Sequence, residues 1–264
     1  MRWWYECPPG LMPRTEPEAE GTADAEGTAD LEAVRAVRPR LLGGIAAMAA
    51  SAVPITVMAL LVRDVADPLA RFDQRVDVRL TQFALEHDGV RRAAEVGAYA
   101  LHPWVFRLSV LGAAWAIYRR GGRAVALWGA ATMVVGSGLG AVLKVVVGRA
   151  RPVLDDPVAT ASGYSFPSGH ALNAALGVTV LLVMLWRPLA RRRHRVVAVA
   201  MGALLVLAVC VDRLLLGVHF PTDVVAGSLV GVLVVASSWV AFGPVLRERA
   251  RREADRAVSA GGTA

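Results

Sequence analysis

The sequence predicts an all-α integral membrane protein, built as a bundle of six transmembrane helices. Of its 264 residues, 55% are hydrophobic and 19% are charged, whereas soluble domains contain about 45–50% and about 25%. Aromatic residues make up only 6%, so the apolar excess consists of the Ala, Val, Leu and Gly that pack membrane helices. The net charge of +7 is confined to blocks between apolar runs. This argues against a nucleic-acid surface and favours basic loops beside a lipid bilayer.

Each transmembrane helix is assigned to an apolar run, because crossing the hydrocarbon core requires about 20 such residues. The fourth and fifth runs are short. Arg107 is unusual because it lies near the middle of the second run, which contains no acid. We expect it either to face the bundle and bind carbonyls or a lipid headgroup, or to show that a helix boundary is displaced by one turn. The runs are 41–62, 96–118, 124–147, 171–186, 196–211 and 224–243.

Arginine-rich loops orient the bundle. Loops 119–123 and 187–195 contain three and five Arg without an acidic residue, and the C-terminal tail has five Arg against three acids. The positive-inside rule therefore places these segments and both termini in the cytoplasm. The connections at about 63–95, 148–170 and 212–223 then face the periplasm or the exterior.

Composition divides the chain into three zones. Residues 1–38 are an acidic segment that contains the hexapeptide AEGTAD twice in succession. Such a segment buries too little apolar surface to offset its chain entropy, so we expect it to be disordered. Residues 39–245 form the membrane domain, and 246–264 form a basic cytoplasmic tail.

The first outward connection is predicted to contain an amphipathic helix. Phe72, Val76, Leu80 and Phe83 recur every three or four residues among Arg and Asp, which is the helical period. Such a helix either lies on the outer leaflet or caps the bundle, and the pattern fits both.

Three clusters of polar residues lie at membrane depth on the predicted outer side, where polar groups are costly and are functional candidates. The first contains Lys144 and Arg151, seven residues apart, which share a helix face if the helix continues through both. Two such cations suit a phosphate, since Lys supplies a point charge and Arg a planar fork. The alternative is a pair of interface cations that snorkel towards water.

The second cluster is the run Pro167, Ser168, Gly169 and His170, directly before an apolar helix. Ser and Gly at a helix start leave backbone N–H groups free to bind an anion. His170 is then placed to protonate a leaving oxygen. The alternative is an N-cap followed by an incidental His.

The third cluster contains His219 and Asp223, four residues apart at the opening of the last helix. Asp223 can accept the Nδ1–H and fix the tautomer, which leaves Nε2 as a nucleophile. The alternative is a His–Asp pair that only caps the helix.

Together the clusters resemble the three signature motifs of the type 2 phosphatidic acid phosphatase superfamily. These motifs are Lys, six residues, Arg-Pro; then Pro-Ser-Gly-His; then Ser-Arg, five residues, His, three residues, Asp. All spacings hold here, with one departure, because Asp212 stands where the family has Ser before Arg213. A carboxylate there either repels the phosphate and competes for Arg213, or holds the Arg213 guanidinium from its far side.

The resemblance implies a mechanism. His219 is the nucleophile that becomes a phosphohistidine, Asp223 orients it, and His170 is the general acid and then the base. No cofactor and no metal are implied, and the sequence shows no His, Cys and Asp cluster with ligand spacing. The implied phosphate-binding residues are Lys144, Arg151, Ser168, Gly169 and Arg213.

The implied function is removal of a terminal phosphate from a lipid phosphate or diphosphate at the outer face of a bacterial plasma membrane. Polyprenyl diphosphates, phosphatidic acid, phosphatidylglycerol phosphate and polyprenyl-phosphate sugars all fit, and the outward site and small helices favour the first. The vanadate haloperoxidase branch is disfavoured because those relatives are soluble. A transporter or a non-catalytic lipid-binding protein is disfavoured because neither needs a nucleophile.

Overall fold

The computed structural model describes residues 42–62 except 45 and 48, and residues 67–154, 158–189 and 191–261. Within these ranges the chain is helical and has no β-strand, so the all-α prediction is confirmed. The acidic segment predicted at 1–38 lies outside the described residues. The helices are α1 (Leu42–Val62), α2 (Asp67–Glu86), α3 (Asp88–Ala100), α4 (Pro103–Arg119), α5 (Arg123–Val147), α6 (Gly169–Met184), α7 (Arg192–Leu215) and α8 (Pro221–Gly261).

The chain is a multi-pass membrane protein. Helices α1, α5, α7 and the Pro221–Leu246 part of α8 are long and apolar enough to cross a membrane. The bent pair of α3 and α4 adds a fifth candidate if it counts as one span. The remaining predicted span corresponds to α6, whose 16 residues extend only about 24 Å at 1.5 Å per residue.

The second apolar run is divided between two helices, where a single helix was expected. α3 ends at Ala100 and α4 begins at Pro103, with a 41° bend between them. Proline has no N–H to continue a helix and forces the preceding residue into an extended conformation. Accordingly, His102 is extended, with φ −62° and ψ 144°, and its side chain caps α4 by accepting from the Trp104 N–H.

Helix α6 lies at the centre of the bundle, and nine of its 16 residues are buried. Helix α8 approaches it closely because glycines line the contact. A Cβ added to Gly227 would lie 2.5 Å from the Ser168 carbonyl oxygen, and one on Gly231 would lie 2.7 Å from that of Leu172. Small residues at such contacts let membrane helices meet backbone to backbone. The two helix starts are thereby held together, and the Ser168 N–H donates to the Asp223 carbonyl oxygen at 3.0 Å.

Helix α2 confirms the helix predicted in the first outward connection. It packs against α3, α7 and α8, which are the contacts expected of a helix that caps the bundle. The two phenylalanines of its apolar stripe do not point inward, since Phe72 and Phe83 are 48% and 46% exposed. The buried face instead carries polar residues, Asp73, Asp77 and Thr81.

Candidate active site

All eight predicted site residues lie at one end of the bundle. They come from the end of α5 and the loop after it, the start of α6, the end of α7, and the turn that leads into α8. Tertiary packing therefore brings together motifs that are separated by up to about 80 positions in the sequence.

The first motif is not a continuous helix, so the condition under which Lys144 and Arg151 would share a helix face is not met. Helix α5 ends at Val147 because Gly148 adopts φ +64°, a left-handed conformation that terminates helices. Arg151 therefore reaches the site from an extended loop, while Lys144 reaches it from the last turn of α5. The Lys144 Nζ donates to the Tyr164 carbonyl oxygen at 2.8 Å.

Arg151 is held by backbone carbonyls and faces the third motif. Its Nη1 donates to the Val218 carbonyl oxygen at 2.7 Å and lies 3.3 Å from His219 Nε2. Partial burial lowers the pKa of the guanidinium, as does the charge of Arg213, while Asp223 opposes them. Because an Arg N–H can only donate, His219 Nε2 is the acceptor in this contact and carries a lone pair rather than a proton.

The start of α6 has the form expected for the second motif. Ser168 is the N-cap and is fully buried, and none of the described residues hydrogen-bonds its Oγ. Gly169 follows, and a Cβ there would touch the Lys144 Cε at 3.7 Å. A free hydroxyl, a helix N-terminus and an ammonium group thus lie side by side, an arrangement that suits an anion.

His170 and Arg213 make the same kind of contact as His219 and Arg151. The Arg213 Nη1 lies 3.2 Å from His170 Nε2, so this imidazole nitrogen also accepts and is unprotonated here. The His170 ring meets the His102 ring edge to face, with centroids 5.5 Å apart.

His219 and Asp223 are buried together. The His219 Nδ1 lies 3.5 Å from Asp223 Oδ2, a distance beyond an ordinary hydrogen bond, so the contact is electrostatic. Asp223 Oδ2 accepts a hydrogen bond from the Phe220 N–H at 2.9 Å. Burial lowers the pKa of His219, against the raising effect of Asp223. A neutral imidazole with Nδ1–H towards Asp223 and Nε2 towards Arg151 is the tautomer that a nucleophile needs.

Asp212, the departure from the family motif, binds Arg213 directly. The Arg213 Nε donates to Asp212 Oδ2 at 2.8 Å, and Nη2 donates to the same oxygen. Gly97 of α3 makes room, because a Cβ there would overlap the other carboxylate oxygen. Asp212 thus occupies one edge of the guanidinium and leaves Nη1 turned towards His170, as the positioning alternative expects.

Arg107 faces the bundle, the first of the two alternatives for this residue. Its Nε donates to Asn173 Oδ1 at 2.9 Å, and Ser137 Oγ donates to the same oxygen at 2.8 Å. Its Cζ lies 4.9 Å from the Trp104 ring centroid. The partner is a side-chain amide rather than a backbone carbonyl, and Asn173 lies one turn after His170.

Sequence reasoning missed a second layer behind Asp223. Arg149 bridges two carboxylates, donating to Asp223 Oδ1 at 2.6 Å and to Asp73 Oδ2 at 2.7 Å. Asp73 also accepts from the Thr222 N–H at 3.1 Å. Two features of the sequence pointed to these contacts. Arg149 is a third cation inside the first motif, and Asp73 and Asp77 lie four residues apart in α2.

The part of the chain that the structure describes contains no group of three or more His, Cys, Asp or Glu arranged to hold a metal ion. Asp155 and Asp156, which follow the first motif, lie outside that part.

Comparison with known proteins supports the motif assignment. Residues 125–246 match the family model of the PAP2 superfamily. Phosphatidylglycerophosphatase B of Bacillus subtilis (strain 168) is 39% identical over 98 residues, which cover 36% of this chain and 47% of that protein. Undecaprenyl-diphosphatase of Sulfolobus acidocaldarius is 32% identical over 122 residues, which cover 42% of this chain and 49% of that protein. The chain thus spans about half the length of these two curated relatives.

A solved structure resembles the fold. The crystal structure of a transmembrane PAP2 type phosphatidylglycerolphosphate phosphatase from Bacillus subtilis superposes with a TM-score of 0.62 at 20% identity. The match covers 70% of this chain and 92% of that one. The two chains therefore share an all-helical membrane fold.

Proposed function

We propose that this chain, a member of the PAP2 superfamily over residues 125–246, is a membrane phosphatase that removes a terminal phosphate from a lipid phosphate or diphosphate. Catalysis is metal-independent and passes through a phosphohistidine. One observation carries the proposal: the unprotonated Nε2 of His219 faces the Arg151 guanidinium, with Asp223 behind the ring. A His–Asp pair that only caps the helix would not need the Arg151 cation in front of Nε2.

The phosphate is bound by the cations and donors that surround this nitrogen. Lys144, Arg151 and Arg213 supply charge, while the Ser168 hydroxyl and the N–H groups at the start of α6, beginning with Gly169, supply neutral donors. Such preorganised groups stabilise the charge on the three equatorial oxygens in the transition state. They do here what a bound cation does in metal-dependent phosphatases.

The reaction has two balanced steps. In the first, the His219 Nε2 pair forms an N–P bond while the bond from phosphorus to the leaving oxygen breaks, and His170 gives that oxygen a proton. In the second, the now neutral His170 takes a proton from water, whose oxygen attacks phosphorus and breaks the N–P bond. Inorganic phosphate leaves and both imidazoles are restored. Before the first step, the bound phosphate takes over Arg213 Nη1, and its negative charge draws a proton from solvent onto His170 Nε2, which is the proton that His170 then gives.

The finer topology is part of the proposal. Helix α6 is the sixth span, shorter than the others because it lies inside the bundle and begins at the site. The arginine-rich loops are cytoplasmic, so the site faces the periplasm or exterior and takes its substrate from the outer leaflet. A polyprenyl diphosphate of a bacterial envelope is the favoured substrate. In support, undecaprenyl-diphosphatase and phosphatidylglycerophosphatase B are relatives that align with this chain.

Phosphate release by the purified full chain in detergent, with EDTA present, tests the function. The panel is undecaprenyl diphosphate, phosphatidic acid, phosphatidylglycerol phosphate and a polyprenyl-phosphate sugar. We expect turnover on at least one lipid and its loss in His219→Ala, while the exposed His194→Ala serves as the matched control with wild-type activity. Labelled substrate should leave phosphate on the wild-type chain and none on His219→Ala. Absence of turnover on all four lipids, or label on a Ser or Asp, would refute the proposal.

A further inference from the structure

The turn that carries the nucleophile is held from behind by Arg149. Its Cζ lies 4.2 Å from the Phe220 ring centroid, and its Nη1 donates to Thr222 Oγ1 at 2.8 Å and to Asp223 Oδ1 at 2.6 Å. Arg149 therefore contacts three of the four residues that follow His219. Its side chain is 13% exposed, so these contacts replace most of its hydration.

Asp73 of α2 completes the arrangement from the opposite side. It binds the Arg149 Nη2 at 2.7 Å and accepts from the Thr222 N–H at 3.1 Å and from the Thr222 Oγ1 at 2.5 Å. The carboxylate is fully buried. A buried charge is costly unless it is paired and hydrogen-bonded, and these three bonds meet that condition for Asp73.

We propose that Arg149 and Asp73 are positioning residues, which fix Asp223 and through it orient His219 for attack on phosphorus. The inference rests on the proposed function. Neither residue is part of the set that binds the phosphate, since their bonds go to each other, to Thr222 and to Asp223. They act by geometry, because the Asp223 carboxylate is held between the Arg149 guanidinium and the Phe220 N–H. They also act by charge, because Arg149 lies between two carboxylates.

The charge effect gives the two residues opposite signatures. Loss of the Arg149 cation leaves Asp73 and Asp223 uncompensated, which favours the imidazolium form and raises the pKa of His219. Loss of the Asp73 anion has the reverse effect. Attack requires the neutral imidazole, so the acidic limb of the pH–rate profile moves with this pKa. The charged and titratable groups around His219 are Asp73 and Asp77 of α2, Lys144 of α5, Arg149 and Arg151 of the loop, His170 of α6, Arg213 of α7 and Asp223 of α8.

The test compares variants of the purified full chain on the lipid of the four-member panel that the wild type hydrolyses fastest. We expect Arg149→Gln to lower kcat by about 10- to 100-fold with KM within about twofold, since a misplacement of about 1 Å can cost about 100-fold. Its acidic limb should move up by about one pH unit. Asp73→Asn, which keeps an acceptor for the Thr222 N–H, should move the limb down. Arg149→Lys should keep the wild-type limb and recover part of kcat.

Controls separate this inference from the proposed function and from a folding defect. Arg91→Gln removes an exposed arginine paired with Asp88 and should match the wild type. Because the chain has only five histidines, ¹⁵N-histidine NMR in micelles, assigned with His219→Ala, reports the pKa of His219 without turnover. An inactive wild type would refute the function, while opposite pKa changes in Arg149→Gln and Asp73→Asn would still uphold the positioning pair. Unchanged pKa values, or changes of the same sign, would overturn it even in an active enzyme.

Discussion

Replacing Gly231 by Ala tests whether the site depends on the close approach of α8 to α6. The added Cβ would lie 2.7 Å from both the Leu172 carbonyl oxygen and the Leu176 nitrogen, whereas ordinary contacts begin at 3.4 Å. Backbone atoms on α6 cannot rotate away as a side chain does, so α8 must retreat by about 0.7 Å. Overpacking of this kind costs about 1–3 kcal/mol, and a loss of about 2 kcal/mol lowers Tm by about 4–8 °C.

The same retreat separates the two halves of the site. Ser168 and His170 lie at the start of α6. His219 lies two residues before α8, and Asp223 lies in the first turn of α8. We expect kcat to fall about tenfold, because displacements near 1 Å cost up to about 100-fold. Phosphate release and thermal unfolding in detergent measure both effects. Gly138→Ala is the matched control, since its Cβ would meet no atom within 4 Å. Wild-type Tm and kcat in Gly231→Ala would refute this account of the packing.

Three further predictions concern charge and topology. Burial, with Asp223 and Asp73 adding to it, raises the pKa of Asp77 on α2 from 3.8 to about 7. The folded state therefore keeps a proton that the unfolded chain has lost, and stability falls as pH rises from about 4 to about 7. Asp77→Asn should remove this fall in Tm. Profiles of Tm against pH that run parallel in the variant and the wild type would contradict the prediction. In a background without Cys7 and Cys210, a cysteine at Ala159 should react with an impermeant thiol reagent on intact cells and one at Arg191 should not; the reverse pattern would invert the topology. Asp212→Ser deprives Arg213 of the acceptor for Nε and Nη2, so vanadate inhibition should weaken by about tenfold, and tighter inhibition would favour repulsion.

Helix positions could be predicted well because apolar runs in a membrane chain are long. Five of the six runs each correspond to one helix, although the fourth extends two residues past the end of α6, and the second is divided at Pro103. The local sequence contained the reason for that division, since a proline inside an apolar run interrupts the hydrogen-bond ladder. The prediction assigned residues 96–118 to one span on their hydropathy alone and did not allow for the break that Pro103 makes in the helix. In helix α8 a proline does not end the helix. The helix continues past the predicted end at 243 and through Pro244 to Gly261.

The orientation of α2 could not be predicted from its period alone. In a soluble protein the apolar stripe of an amphipathic helix faces the core, whereas on a membrane surface it faces lipid, and the pattern of Phe72 and Phe83 fits both. Beside a bilayer the apolar surroundings are outside, so the stripe can remain exposed while Asp73 and Asp77 turn inward. Periodicity identifies two faces of a helix, but only the neighbouring helices decide which of them is buried.

The site shows the same division between local and long-range information. Fixed spacings were sufficient to propose His170, His219 and Asp223 as site residues, because each motif is a short run whose local chemistry suggests its role. Arg149 lies inside the first motif and still escaped assignment, since its partners Asp73 and Asp223 are 76 and 74 residues away. A nucleophile must be reactive and also fixed in place, and the two requirements are met by different residues. The proposed reacting residues occur in short motifs, whereas the residues proposed to hold them are joined across the fold, here Arg149 of the first motif with Asp73 of α2.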